Sequence, residues 1–193
     1  MKNAPGNRGV SYFYAMELEK LKYPIGKFDC PSNITHEKLE AWISILEHFP
    51  NRLSNLVSSL SEAQLNTPYR PEGWTVKQVI HHIYDSHHNS YTRFKWTLTE
   101  DTPIIKAYNE KKWAELYDYK AAPIDMSLLS ITALHAKLVF LLKGLTYVEF
   151  QKEFIHPDGH RNISLAEATG IYAWHSNHHY AHIENLMLRE GWK

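Results

Sequence analysis

The sequence predicts an all-α fold, a four-helix bundle, on three observations. Four long stretches carry apolar residues at every third or fourth position, strand-like alternation is almost absent, and Ser or Thr precedes Glu or Gln by three residues at several predicted helix starts. Residues 1–34 read as an irregular N-terminal arm, and residues 35–193 as one bundle domain.

Within the arm, Pro24, Gly26 and Pro31 interrupt any periodic pattern. The first long helix begins near Thr35, with Leu39, Trp42, Ile43, Leu46, Phe49, Leu53, Leu56, Val57 and Leu60 on one face. Pro50 lies inside it, and its missing backbone donor predicts a kink or a split there. Ser61 and Gln64 open a short helix, and NTPYRPEGW is a loop punctuated by Pro68, Pro71 and Gly73. Thr75 and Gln78 start the second long helix, which carries Val76, Val79, Ile80, Ile83, Tyr91 and Phe94 and ends before Asp101–Thr102–Pro103.

Residues 101–125 are less regular, with a short helix expected around 110–116. The third long helix spans about Ser127–Leu145 on a leucine-rich face, and Thr146 with Glu149 caps a short helix after it. EFIHPDGHRNIS places a Pro-Asp-Gly turn between two short alternating stretches, which predicts a small hairpin. Ser164 and Glu167 open the last helix, which Gly191 stops.

Composition narrows the function. Formal net charge is zero, from 21 basic and 21 acidic side chains, so the basic excess of a nucleic-acid binder is missing. Cys30 is the only cysteine, so no intrachain disulfide forms. No apolar run approaches the roughly 20 residues of a membrane span, and the N-terminus lacks the apolar core of a signal peptide. A cytoplasmic protein with a small-molecule substrate, and with no membrane or nucleic-acid partner, is expected.

Eight of the thirteen histidines fall in two short segments: His81, His82, His87 and His88, then His175, His178, His179 and His182. On a helical wheel His87 lies at the apolar centre of the second helix. His82 lies at its edge, on a polar stripe with Ser86, Asn89 and Arg93. In the last helix His175 and His179 are one turn apart, on the flank and inside the apolar face respectively, a spacing that can chelate one metal. His178 and His182 repeat the spacing further from the apolar centre. Three imidazoles suit zinc, nickel, copper or iron, and they leave a coordination position open for water or substrate. Asp85 is the candidate for orienting a ligand imidazole or acting as a base, and Arg93 and Asn89 are candidates for binding substrate. The tryptophans read as packing residues.

TPYRPEGWTVKQVIHHIYDSHHNSYTRFK and YAWHSNHHYAHI together resemble the DinB/YfiT-like superfamily, and within it the YfiT branch, described as metal-dependent hydrolases. The resemblance runs from YPIGKF at residues 23–28 to Gly191–Trp192. It implies a four-helix bundle, commonly a homodimer, with one zinc or nickel ion on His82, His175 and His179. Asn177 departs from the family pattern, which carries His there. Related branches are S-transferases and isomerases of low-molecular-weight thiols such as bacillithiol. Three functions are therefore open: metal-dependent hydrolysis, thiol S-transfer in which a thiol cofactor joins the metal, and a non-catalytic metal-binding bundle.

Overall fold

The computed structural model describes residues 16–192. Its elements are α1 (His36–Val57), α2 (Glu62–Leu65), α3 (Val76–Thr99), α4 (Glu110–Trp113), α5 (Tyr117–Ala121), α6 (Ile124–Lys143), α7 (Tyr147–Phe150), β1 (Glu153–His156), β2 (Arg161–Ser164) and α8 (Leu165–Glu190). The long helices α1, α3, α6 and α8 form the bundle. α1 packs against α6 and α8, and α3 against the same two, so α1 and α3 face each other across the diagonal. The 18 residues from 58 to 75 make that diagonal crossing possible.

Capping explains the sharp helix starts. Thr75 Oγ1 accepts from the Gln78 backbone N–H while Gln78 Oε1 accepts from the Thr75 N–H, and the same reciprocal pair recurs at Ser61–Gln64 and Thr146–Glu149. At α8, Ser164 caps the Glu167 N–H, but the Glu167 carboxylate turns instead to Arg161 at 2.7 Å. Gly191 ends α8 at φ 67°, a left-handed conformation in which a Cβ is costly.

Several boundaries differ from the sequence reading. α1 runs unbroken through Pro50, because Phe49 and Leu53 on either side are fully buried and hold both halves in the core. α6 begins at Ile124, directly after Pro123, earlier than the periodic face suggested. α5 was not anticipated. The arm is helical over residues 16–22, where a run of good helix formers lies against α8. α6 also has the length and composition of a membrane-spanning helix, with a mean hydropathy of 1.5 in its most apolar window. Asp125 and Lys137 interrupt the consecutive run, and one face packs between α1 and α3.

β1 and β2 pair antiparallel, Phe154 opposite Ile163, with both side chains buried against the bundle. The core divides into two apolar clusters. One holds Leu39, Leu46, Phe94, Leu138 and Ala173, the other Phe49, Val76, Ile83, Ile131 and Ile183. Along α3, α6 and α8 the gap between clusters is filled by buried polar residues, among them His87, His135 and His179. A polar layer thus crosses the middle of the bundle.

Candidate metal centre

Histidines from α3 and α8 meet within this layer. His82 and His179 are buried and His175 is half-buried, and one ring nitrogen from each lies within 4.8 Å of the others. Nε2 of His82 stands 3.2 Å from Nε2 of His175. Nitrogens bound about 2.0–2.1 Å from one tetrahedral ion are roughly 3.3 Å apart, so this separation fits a shared metal. The α8 pair comes from the i, i+4 spacing, and the α3·α8 contact brings His82 to it.

Electrostatics favour neutral, ligating rings. Burial pushes His82 down to about 4, with His178 adding a smaller push in the same direction. Burial, followed by the neighbouring histidines, holds His175 and His179 well below the ordinary imidazole range. Each ring therefore presents a lone pair at neutral pH, the form a metal needs.

Further rings surround the three. Nδ1 of His175 lies 3.1 Å from Nε2 of His87, and Nδ1 of His87 lies 3.0 Å from Nε2 of His135. Nδ1 of His135 donates to the Leu46 carbonyl at 2.7 Å. Nδ1 of His179 lies 3.3 Å from Nδ1 of His182, whose Nε2 donates to the Lys22 carbonyl at 3.0 Å. Tyr69 stacks on His182 at 4.0 Å between centroids, and Trp74 leans on His82 at 4.6 Å. His178 and His182 are buried, although the wheel set them apart from the apolar centre. The arm covers them through Tyr23 and the Lys22 carbonyl.

Asp85 does not orient a ligand imidazole. Its Oδ2 accepts a 2.6 Å hydrogen bond from the Tyr119 hydroxyl, while the outer partners of His175 and His179 are other histidines. Burial raises the Asp85 carboxyl, and the Tyr119 bond opposes that rise. Asn89 is half-buried, with Nδ2 donating to the Asp85 carbonyl.

Arg93 is only 8% exposed, and no ion pair forms with it among the described residues. One guanidinium nitrogen donates to the Tyr172 hydroxyl at 3.1 Å, another to the Lys106 carbonyl at 3.3 Å, and Nε is buried without a partner. Tyr172 connects this cation to the centre, since its ring lies 6.0 Å from that of His175.

Sequence reasoning did not single out His135, Tyr172 or Tyr108. His135 carried a signal: one imidazole on an apolar face between Ile131 and Leu138. Tyr108 sits in the irregular 101–125 segment, where no period marks it.

Comparison with known proteins agrees with this geometry. A family model described as the DinB superfamily matches residues 45–183. A Bacillus subtilis protein named "Putative metal-dependent hydrolase YfiT" is 48% identical over 177 residues, covering 92% of this chain and 99% of that one. A Bacillus cereus protein likewise named a "Putative metal-dependent hydrolase" is 49% identical over 175 residues, covering 91% of this chain and all of its own. A solved structure of YfiT from Bacillus subtilis, described as having "an unusual four-helix bundle topology", superposes with a TM-score of 0.89 at 47% identity, covering 90% of this chain and 99% of that one. The diagonal placement of α1 and α3, the histidine-lined centre between α3 and α8, and these matches place the chain in the DinB superfamily.

Proposed function

We propose that this protein is a metal-dependent hydrolase whose divalent ion, zinc or nickel, is held by His82, His175 and His179. The observation that carries the reading is the convergence of three neutral imidazoles, one from α3 and two from α8, inside a sphere narrow enough for one ion. Three protein ligands leave a coordination position open, the pattern of catalytic rather than structural sites. When bound, such an ion supplies Lewis acidity and lowers the pKa of water toward neutrality.

The chain's own residues hold the substrate beside that position. Arg93, a buried cation without a carboxylate partner among the described residues, grips an acidic group of the ligand, since an uncompensated buried charge is costly until an anion reaches it. Tyr108 lies within electrostatic reach of Tyr172 and Asp85, and burial keeps its hydroxyl protonated. Asn89, with its amide nitrogen engaged, offers its oxygen as an acceptor. Asp85, whose Oδ2 is bonded to Tyr119, keeps Oδ1 as the candidate base.

The acid-binding role of Arg93 also favours a second reading, S-transfer from a carboxylate-bearing low-molecular-weight thiol. The experiment is to measure metal content by mass spectrometry on wild type and on H82A, H175A and H179A, then to offer esters and amides with and without thiol. One ion per chain, lost in each variant together with thiol-independent turnover, supports hydrolysis. Turnover that requires thiol selects transfer, and bound metal with neither activity selects a non-catalytic metal-binding bundle. Absence of metal from wild type overturns all three.

We further infer that the protein forms a homodimer through the outer face of α6. Met126, Leu129 and Phe140 are 62%, 73% and 85% exposed there, and Ala133 and Ala136 complete a three-four repeat of apolar positions.

A further inference from the structure

Two rows of imidazoles run outward from the candidate ligands, and each ends on a backbone carbonyl. A carbonyl oxygen only accepts hydrogen bonds. The Leu46 oxygen, 2.7 Å from Nδ1 of His135, therefore fixes the His135 proton on Nδ1 and leaves its Nε2 as a lone pair. That lone pair lies 3.0 Å from Nδ1 of His87, which must donate. His87 then accepts at Nε2 from Nδ1 of His175, 3.1 Å away. Three neutral rings bring three protons to three contacts, and only one direction satisfies all of them. It leaves Nε2 of His175 bare, facing Nε2 of His82.

The second row obeys the same rule. The Lys22 oxygen takes the proton of His182 Nε2 at 3.0 Å, so Nδ1 of His182 accepts from Nδ1 of His179 at 3.3 Å. Nε2 of His179 is left bare. Among the described residues His82 has no such row, and its buried Nδ1 has no partner.

We propose that His87, His135 and His182 are positioning residues, which lock His175 and His179 as Nδ1–H tautomers and so aim both Nε2 lone pairs at the ion. The proposal rests on the metal reading above for its purpose, but the tautomers follow from the two carbonyls alone. Packing stiffens the first row, since Phe49 stacks on His87 and on His135 at 6.2 and 5.6 Å between centroids. Reversing either row sets two N–H groups against each other or leaves a buried carbonyl without its donor, so the interior resists it. Outer partners of this kind orient ligand rings and raise their basicity.

The test has two arms on the full-length chain. In metal-free protein at about pH 8, two-bond nitrogen–proton correlation spectra of the imidazoles distinguish the tautomers. Expected are Nδ1–H on His135, His87, His175 and His179, and Nε2–H on His182. An Nε2–H proton on His175 or His179 overturns the proposal. In the second arm zinc affinity is measured against a chromophoric chelator for wild type, H135L and H182L, with helical circular dichroism as the folding check. Each variant is expected to bind about 10–100-fold more weakly, and undiminished affinity in a folded variant overturns the positioning role. If a variant does not fold, the wild-type spectra still decide. Wild type that shows the expected tautomers yet takes up neither zinc nor nickel sinks the metal reading while the tautomer assignment stands.

Discussion

Arg93 and Tyr172 meet in the interior, the guanidinium of one donating to the hydroxyl of the other at 3.1 Å, with no carboxylate paired to the charge among the described residues. Buried cations are normally paired, and an unpaired one is tolerated where a ligand completes it. R93M is therefore expected to weaken binding of carboxylate-bearing substrates by about 10–100-fold, the value of one charge-assisted hydrogen bond. Its thermal midpoint should hold or rise, because an isolated buried charge is gone. Steady-state kinetics and a melting curve check both. A fall in stability with unchanged KM would make Arg93 structural.

The outer face of α6 predicts an oligomer. F140E places a carboxylate in the middle of an apolar stripe, at a side chain that is 85% exposed in the single chain. Light scattering after gel filtration should give two chains for wild type and one for F140E, with equal helix content. Equal masses for the two proteins would remove α6 from the interface.

Acid should unfold the metal-free protein through its histidines. Burial, the leading cause in each case, pushes His82, His135 and His178 down to about 4 and His182 to about 3. The unfolded chain takes up these protons near 6.5. Stability is therefore whole above about pH 6.5 and is lost as pH falls toward 4, and His135 alone accounts for on the order of 3 kcal/mol. Urea denaturation at stepped pH measures the slope. A flat profile from neutrality to pH 4 would contradict the burial of these rings.

Gly170 supplies a packing test where α8 meets Trp42 of α1. A Cβ built there meets Trp42 Cη2 at 2.7 Å and Phe28 Cζ at 2.9 Å. Gly to Ala in a helix ordinarily gains up to about 1 kcal/mol. Here the sign should reverse, with G170A less stable by about 1–3 kcal/mol from overpacking. Chemical denaturation reads the difference directly.

Much of this was legible in the sequence, for a specific reason. His82, His175 and His179 could be placed because each helix has a readable apolar face, and a wheel fixes angles along one helix. The capping residues Thr75, Ser61 and Thr146 gave true starts because their effect reaches only three residues. What stayed hidden depended on partners distant in sequence. The His87–His135 contact joins residues 48 apart on α3 and α6, and the Lys22 carbonyl reaches His182 over 160 residues. The Asp85–Tyr119 bond stayed hidden for the same reason: Tyr119 lies in a segment with no period to place it. Pro50 was read by local propensity, which the burial of Phe49 and Leu53 overrides.

The bond from His182 to the Lys22 carbonyl has a thermodynamic corollary. The ring that steadies His179 is the one that fastens the start of the described chain, and Trp174 fastens the same strap again at the Gly26 carbonyl, 3.2 Å away. Filling the centre and seating the strap are thus reciprocal events. An ion that favours the seated strap is expected to be favoured by it through the same coupling free energy, so that metal should slow proteolysis around Lys22 and release of the strap should weaken the grip on the ion.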